Sequence, residues 1–206
     1  PPFDTDEFTI DIEINKFRRK HNINSDVKII SFLGRIHYIK GIDFLIKGFH
    51  NFLKKKNYSE NYLLCLIGSD DGYLDETKKL IKKYNIEKFV KVVGFLSGQK
   101  KNEALYDSDV VVQLSRLEQG AWAPIEAVLC GTPIIVTANT GSGEDVKRLD
   151  AGYLVNFGDE EEFANSLNYI FENYEICIKK TISAKKYIIE NLSFNSRINE
   201  YLDLYK

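Results

Sequence analysis

The chain has 206 residues, 44% of them hydrophobic and 28% charged, which suits one well-buried α/β domain. A formal charge of −2 gives no basic surface of the kind nucleic-acid binding needs, and the lysine runs at 54–56, 78–79, 82–83 and 185–186 read as solvated helix faces. No secretion signal is read and no apolar stretch is long enough to cross a bilayer. Cys65, Cys130 and Cys177 fit neither a disulfide framework nor a metal-ligand spacing, so a reducing, cytoplasmic setting is expected.

The chain starts PPFDTDEF and holds no methionine, which reads as a piece cut from a longer protein; residues 1–26 form a lead-in. VKIISFLG (27–34) is the first of six apolar runs rich in β-branched residues, the pattern of strands covered on both faces. GRIHYIKG follows, placing Gly34, Arg35, Lys40 and Gly41 at a strand-to-helix turn. A guanidinium forks across phosphate oxygens, an ammonium adds a point charge, and glycine lets backbone approach, so the turn suits a diphosphate. Two solvated loop cations fit the same residues. His37, between them, has no neighbour to orient it as a base and reads as loop surface. GIDFLIKGFHNFLKKK then carries Ile42, Leu45, Ile46, Phe49 and Leu53 on one helical stripe.

YLLCLIG (62–68) is the second strand, ending at Gly68, and SDDG turns into the amphipathic helix YLDETKKLIKKYN. Asp70-Asp71 here, and DSD at 107–109, imitate the acidic metal motif of manganese-using sugar transferases. Neither has a partner carboxylate, and no metal is expected. FVKVVGF (89–95), the short helix SGQKKNEALYDS and DVVVQLS (109–115) come next. In the following LEQGAWAPIEAVLCGTP, Glu118 and Glu126 flank a small, apolar turn. Pro124 is expected as the first helical residue, which puts Glu126 in the first turn and leaves Ala123 as a cap that cannot accept backbone N–H groups. Such a start is a candidate anion or hydroxyl site. Equally, water or a loop satisfies those groups and Glu126 complements the helix dipole.

Gly131 and Pro133 stop that helix, PIIVT (133–137) is the fifth strand, and TANTGSGED makes a small polar turn into a short helix. GYLVNF (152–157) and the helices EEEFANSLNYIFENY, EICIKKTISAKKYIIENL and NSRINEYLDLYK complete the chain. The alternation predicts a doubly wound, mostly parallel, six-stranded Rossmann-like sheet over 27–192, with 193–206 as a closing helix. Ligands of such sheets sit at the carboxyl ends of the strands, where the loops above lie.

FLGRIHYIKG combined with LSRLEQGAWAPIEAVLCGTPIIV resembles the C-terminal domain of GT-B glycosyltransferases of glycosyltransferase family 4, and the likeness runs along almost the whole chain. It implies a retaining, metal-independent transferase without a cofactor, moving a hexose-type sugar from a UDP- or GDP-linked donor to a glycan or lipid-linked acceptor. Arg35 and Lys40 match the pair that neutralises the leaving diphosphate, Glu118 the residue beside the transferred sugar, and Glu126 the ribose ligand. Gly120, Ala121, Trp122 and Ala123 match the loop that binds sugar hydroxyls and phosphate; Phe95 and Leu96 match the base pocket, and Gly34 and Gly68 complete the donor set. The family more often reads glutamate, glycine, aromatic, glycine here; Ala121 narrows the space beside the sugar and Trp122 enlarges an apolar wall.

The resemblance also implies that an N-terminal, acceptor-binding domain lies outside this chain, in the same protein or in a partner subunit, so that the fragment alone is inactive. Peripheral attachment to the cytoplasmic membrane face would run through that domain. The helix at 193–206 would return toward it with Ile198, Tyr201, Leu202 and Tyr205 on its apolar face. A donor-binding subunit of a split enzyme and a degenerate, non-catalytic scaffold are the alternatives.

Overall fold

A computed structural model describes residues 4–8, 13–120 and 122–203. Six strands, β1 (Lys28–Leu33), β2 (Tyr62–Ile67), β3 (Val90–Gly94), β4 (Val110–Gln113), β5 (Ile134–Thr137) and β6 (Tyr153–Val155), form one sheet in the order β3-β2-β1-β4-β5-β6. Every neighbouring pair is parallel. This is the doubly wound α/β fold expected from the sequence, and each strand lies within one of the six apolar runs. Strand order reverses between β1 and β4, so the loops leaving those two strands flank the crevice where such sheets take ligands.

Side-chain alternation assigns the two faces. Ile30, Phe32, Leu64, Leu66, Val110 and Val112 pack on α2 (Ile42–Lys55), α3 (Leu74–Lys83) and α7 (Glu160–Glu172). The stripe Ile42, Leu45, Ile46, Phe49 and Leu53 is wholly buried there. On the other face Val111, Ile134 and Val136 meet α5 (Trp122–Leu129), α6 (Gly141–Arg148) and α8 (Tyr174–Leu192). Ile29, Cys65 and Ile67 meet Phe17 of α1 (Lys16–Lys20) and Ala104 of α4 (Gly98–Tyr106).

α1 is an element the sequence pattern does not announce. Asp107 holds it: Oδ1 accepts the Asn15 N–H (2.7 Å) and Oδ2 the Arg18 N–H (3.1 Å). Asp109 accepts from the Arg18 guanidinium (2.9 Å), from Lys28 (3.0 Å) and from the Ile29 N–H (2.8 Å). The DSD acids therefore anchor the lead-in to the sheet. Asp70 takes the N–H groups of Gly72, Tyr73 and Leu74 and so caps α3.

α9 (Phe194–Asp203) closes the described chain, with Leu202 exposed and Ile198 half-buried. Of the remaining residues expected on its apolar face, Tyr205 lies outside the described residues. Among the described residues no helix is long and apolar enough to cross a membrane.

Candidate functional site

The loop after β1 is pressed onto the loop after β4. Gly41 has φ +66°, and a Cβ there would stand 1.9 Å from the Leu114 carbonyl oxygen, so only glycine permits this approach. Residues Tyr38–Lys40 form a 3-10 turn capped by His37, whose Nδ1 accepts from the Ile39 N–H at 3.2 Å. His37 is thus a cap for the turn. Lys40 leaves the turn toward the neighbouring loop, and its Nζ meets Glu118 Oε2 at 2.5 Å, with the two side chains 17% and 12% exposed. Two residues 78 apart in sequence form one largely buried ion pair at the switch point.

Arg35 takes another direction. Its guanidinium is exposed and pairs with Asp71, on the loop after β2, at 2.5 Å. Gly34 and Gly68 lie beneath that contact, the ends of β1 and β2 being so close that a Cβ at Gly68 would stand 1.7 Å from the Gly34 oxygen.

The third acid, Glu126, also has a partner: Lys101 of α4 reaches its Oε1 at 2.7 Å. α5 begins at Trp122, so Pro124 is its third residue and Glu126 falls in the second turn. The expected start at Pro124, with Ala123 as cap, is therefore corrected. The first four N–H groups of a helix have no internal partner, so proline is tolerated throughout the first turn and does not mark its first residue. Ala123 is half-buried within the helix, and the position before the helix, Ala121, lies outside the described residues.

The loop between Glu118 and α5 is set from the far side by α6. The Gly141 N–H donates to the Glu118 carbonyl at 2.6 Å, and a Cβ at Gly141 would collide with the Gln119 oxygen at 1.8 Å. Thr140 caps α6, its Oγ1 accepting from the Gly143 N–H at 3.0 Å. The polar turn after β5 thus shapes the backbone beside Glu118. Gly120 has open space where a side chain would be, and Trp122 and Phe95 are exposed on the same carboxyl edge of the sheet. Leu96 instead packs against the α1–α4 side of the core.

Arg116 escaped the sequence reading. Its backbone N–H donates to the Ile39 oxygen (2.8 Å), and its guanidinium donates to the Tyr38 oxygen (2.6 Å) and to Asp43 Oδ2 (2.5 Å). The guanidinium carbon also lies 3.7 Å from the Tyr38 ring centre and 4.9 Å from that of Phe157. Burial pushes the Asp43 carboxyl up, but the hydrogen bond and charge of Arg116 outweigh it and hold the group below its ordinary value. No signal within the loop marks Arg116, because every partner of its side chain lies more than 40 residues away.

No group of three or more His, Cys, Asp and Glu side chains among the described residues is arranged to hold a metal ion.

The family model described as glycosyl transferases group 1 matches residues 13–188, and so takes in both loops of the switch point. The chain belongs to that family. An uncharacterized glycosyltransferase of Methanocaldococcus jannaschii is 28% identical over 205 residues, covering 97% of this chain and 51% of its own length. The N-acetyl-alpha-D-glucosaminyl L-malate synthase of Bacillus anthracis is 22% identical, covering 94% of this chain and 49% of its own. Among solved structures, Anabaena HepE in complex with UDP and glucose superposes with a TM-score of 0.83 at 22% identity, over 98% of this chain and 55% of that one. This likeness establishes the fold, a Rossmann-like sheet of the kind that forms one half of the GT-B fold. The chain spans about half the length of the curated relatives it matches.

Proposed function

We propose that this chain is the C-terminal, donor-binding half of a retaining family 4 glycosyltransferase. It would hold a nucleotide-diphosphate sugar, with UDP or GDP as the nucleotide, while an N-terminal domain brings a glycan or lipid-linked acceptor on the cytoplasmic side. The observation that carries the reading is the Lys40–Glu118 contact at 2.5 Å, on the two loops that flank the β1/β4 crevice. A cation suited to phosphate beside a carboxylate suited to sugar hydroxyls supports this reading.

In this reading Lys40 exchanges Glu118 for the donor's diphosphate, and Arg35, already extended to solvent, leaves Asp71 to join it. Fixed cations at the point where negative charge develops stabilise the departing diphosphate without a metal ion. Glu118, freed from Lys40, turns to the transferred sugar, and Glu126 accepts from the ribose hydroxyls. The exposed Phe95 borders the base, and Trp122, half-exposed beside Gly120, borders the sugar. The transferred group in this reading is a hexose-type sugar.

Calorimetric titration with UDP, GDP and ADP tests the reading. One of them should bind below millimolar concentration, and Arg35→Ala should weaken the diphosphate much more than the nucleoside. Absence of binding by all three refutes donor binding; equal losses refute the role given to Arg35.

A further inference from the structure

Arg116 grips the neighbouring loop at successive residues. Of the four residues 38–41, Tyr38 and Ile39 give their carbonyl oxygens to Arg116, and Gly41 lies against the Leu114 carbonyl. The remaining one, Lys40, sends its side chain to Glu118. Each end of that ion pair is thus two residues or fewer from a point where the loops are fastened. Asp43, in the first turn of α2, completes the grip from below, and the Tyr38 and Phe157 rings cover the guanidinium.

A direct contact of Arg116 with substrate is disfavoured by the same geometry. The side chain is 17% exposed, and its two terminal nitrogens are engaged by the Tyr38 oxygen and by Asp43. An exposed surface pair would contribute little, but this one is shielded, forked and stacked, the arrangement for which lysine is a poor substitute.

We propose that Arg116 is a positioning residue that locks the Lys40 loop to the Glu118 loop, fixing the spacing of cation and carboxylate on which diphosphate recognition depends. This role rests on the donor-binding reading above for its consequence, but not for the mechanical link. The link is tested without ligand. Hydrogen–deuterium exchange of the free chain should quicken in Arg116→Lys at residues 36–41 and 114–118 together, while β2, β5 and α8 keep their protection. No change in either loop, or uniform quickening throughout the chain, overturns the lock.

The consequence is tested by comparing a nucleoside diphosphate with the matching monophosphate, using UDP and UMP, GDP and GMP, and ADP and AMP. In Arg116→Lys the diphosphate should bind about tenfold more weakly and the monophosphate within about twofold of the unchanged protein, because misplacing the Lys40 loop affects only contacts beyond the first phosphate. Asp43→Asn, which keeps the shape of α2 and removes the countercharge, should move the ratio the same way. An unchanged ratio in Arg116→Lys sinks the proposal while leaving donor binding intact. If the unchanged protein binds no nucleotide, the functional reading falls, and the exchange experiment still decides the lock.

Discussion

Lys101 Nζ lies 2.7 Å from Glu126 Oε1, a contact between α4 and α5 in which both side chains are at least four-fifths covered. One carboxylate oxygen is thereby fixed. If Glu126 accepts from the ribose, Lys101 sets the direction of that acceptance. Lys101→Met should reduce the preference for a ribonucleotide over its 2′-deoxy analogue by about fivefold to tenfold, the range of a charge-assisted hydrogen bond. Calorimetry with the paired nucleotides checks this, and an unchanged preference would remove Lys101 from the account.

Removing the charge of Glu118 from its pair with Lys40 should have opposite consequences for stability and for diphosphate binding. Glu118→Gln leaves a largely buried ammonium without a countercharge, which should lower the stability of the free chain by about 1–3 kcal/mol. A diphosphate restores the missing charge and no longer displaces a carboxylate. The variant should therefore bind the diphosphate more tightly than the unchanged chain and show a larger rise in melting temperature at saturation. Weaker diphosphate binding by the variant would show that Glu118 and the phosphates do not compete for Lys40.

The sheet was legible because strands covered on both faces leave apolar runs, and each of the six observed strands falls within one. α2 was legible for the same reason, its stripe being buried residue by residue. What escaped depends on contacts distant in sequence. α1 is KFRRK, with one apolar residue and no stripe; Asp107, 92 and 89 residues from Asn15 and Arg18, makes it a helix. Arg116 reads as a loop cation until Tyr38 and Asp43, 78 and 73 residues away, are brought beneath it. The two loops singled out in the sequence, those of Lys40 and Glu118, do lie against each other at the ends of β1 and β4. The sequence did not show that Lys40, Glu126 and Arg35 each hold an opposite charge in the free chain.

Gly41 offers a test of the compression between loops. Its φ of +66° disfavours any side chain, and a Cβ would overlap the Leu114 oxygen, which is backbone and cannot rotate away. Gly41→Ala should cost about 2–4 kcal/mol through left-handed strain and enforced separation of the loops. Gly120→Ala, at a position with nothing within 4 Å, should cost less than about 1 kcal/mol. Chemical denaturation of the two variants compares them directly. Equal losses would mean that the close approach carries no weight.

The Asp43–Arg116 pair carries a definite pH dependence. Because the folded state holds the Asp43 carboxyl below its ordinary value of 3.8, its contribution to stability is present above that value and lost as pH falls through the lower, folded one. Asp43→Asn keeps the side-chain shape but not the charge, so the variant should be less stable than the unchanged chain at pH 7. That difference should stay constant down to about pH 5 and narrow below about pH 4 as the unchanged chain takes up its proton. Thermal unfolding of both proteins from pH 7 to pH 3 cancels the titration of the other carboxylates in the difference. A gap that persists undiminished at pH 3 would mean that the charge of Asp43 is not what separates the two proteins.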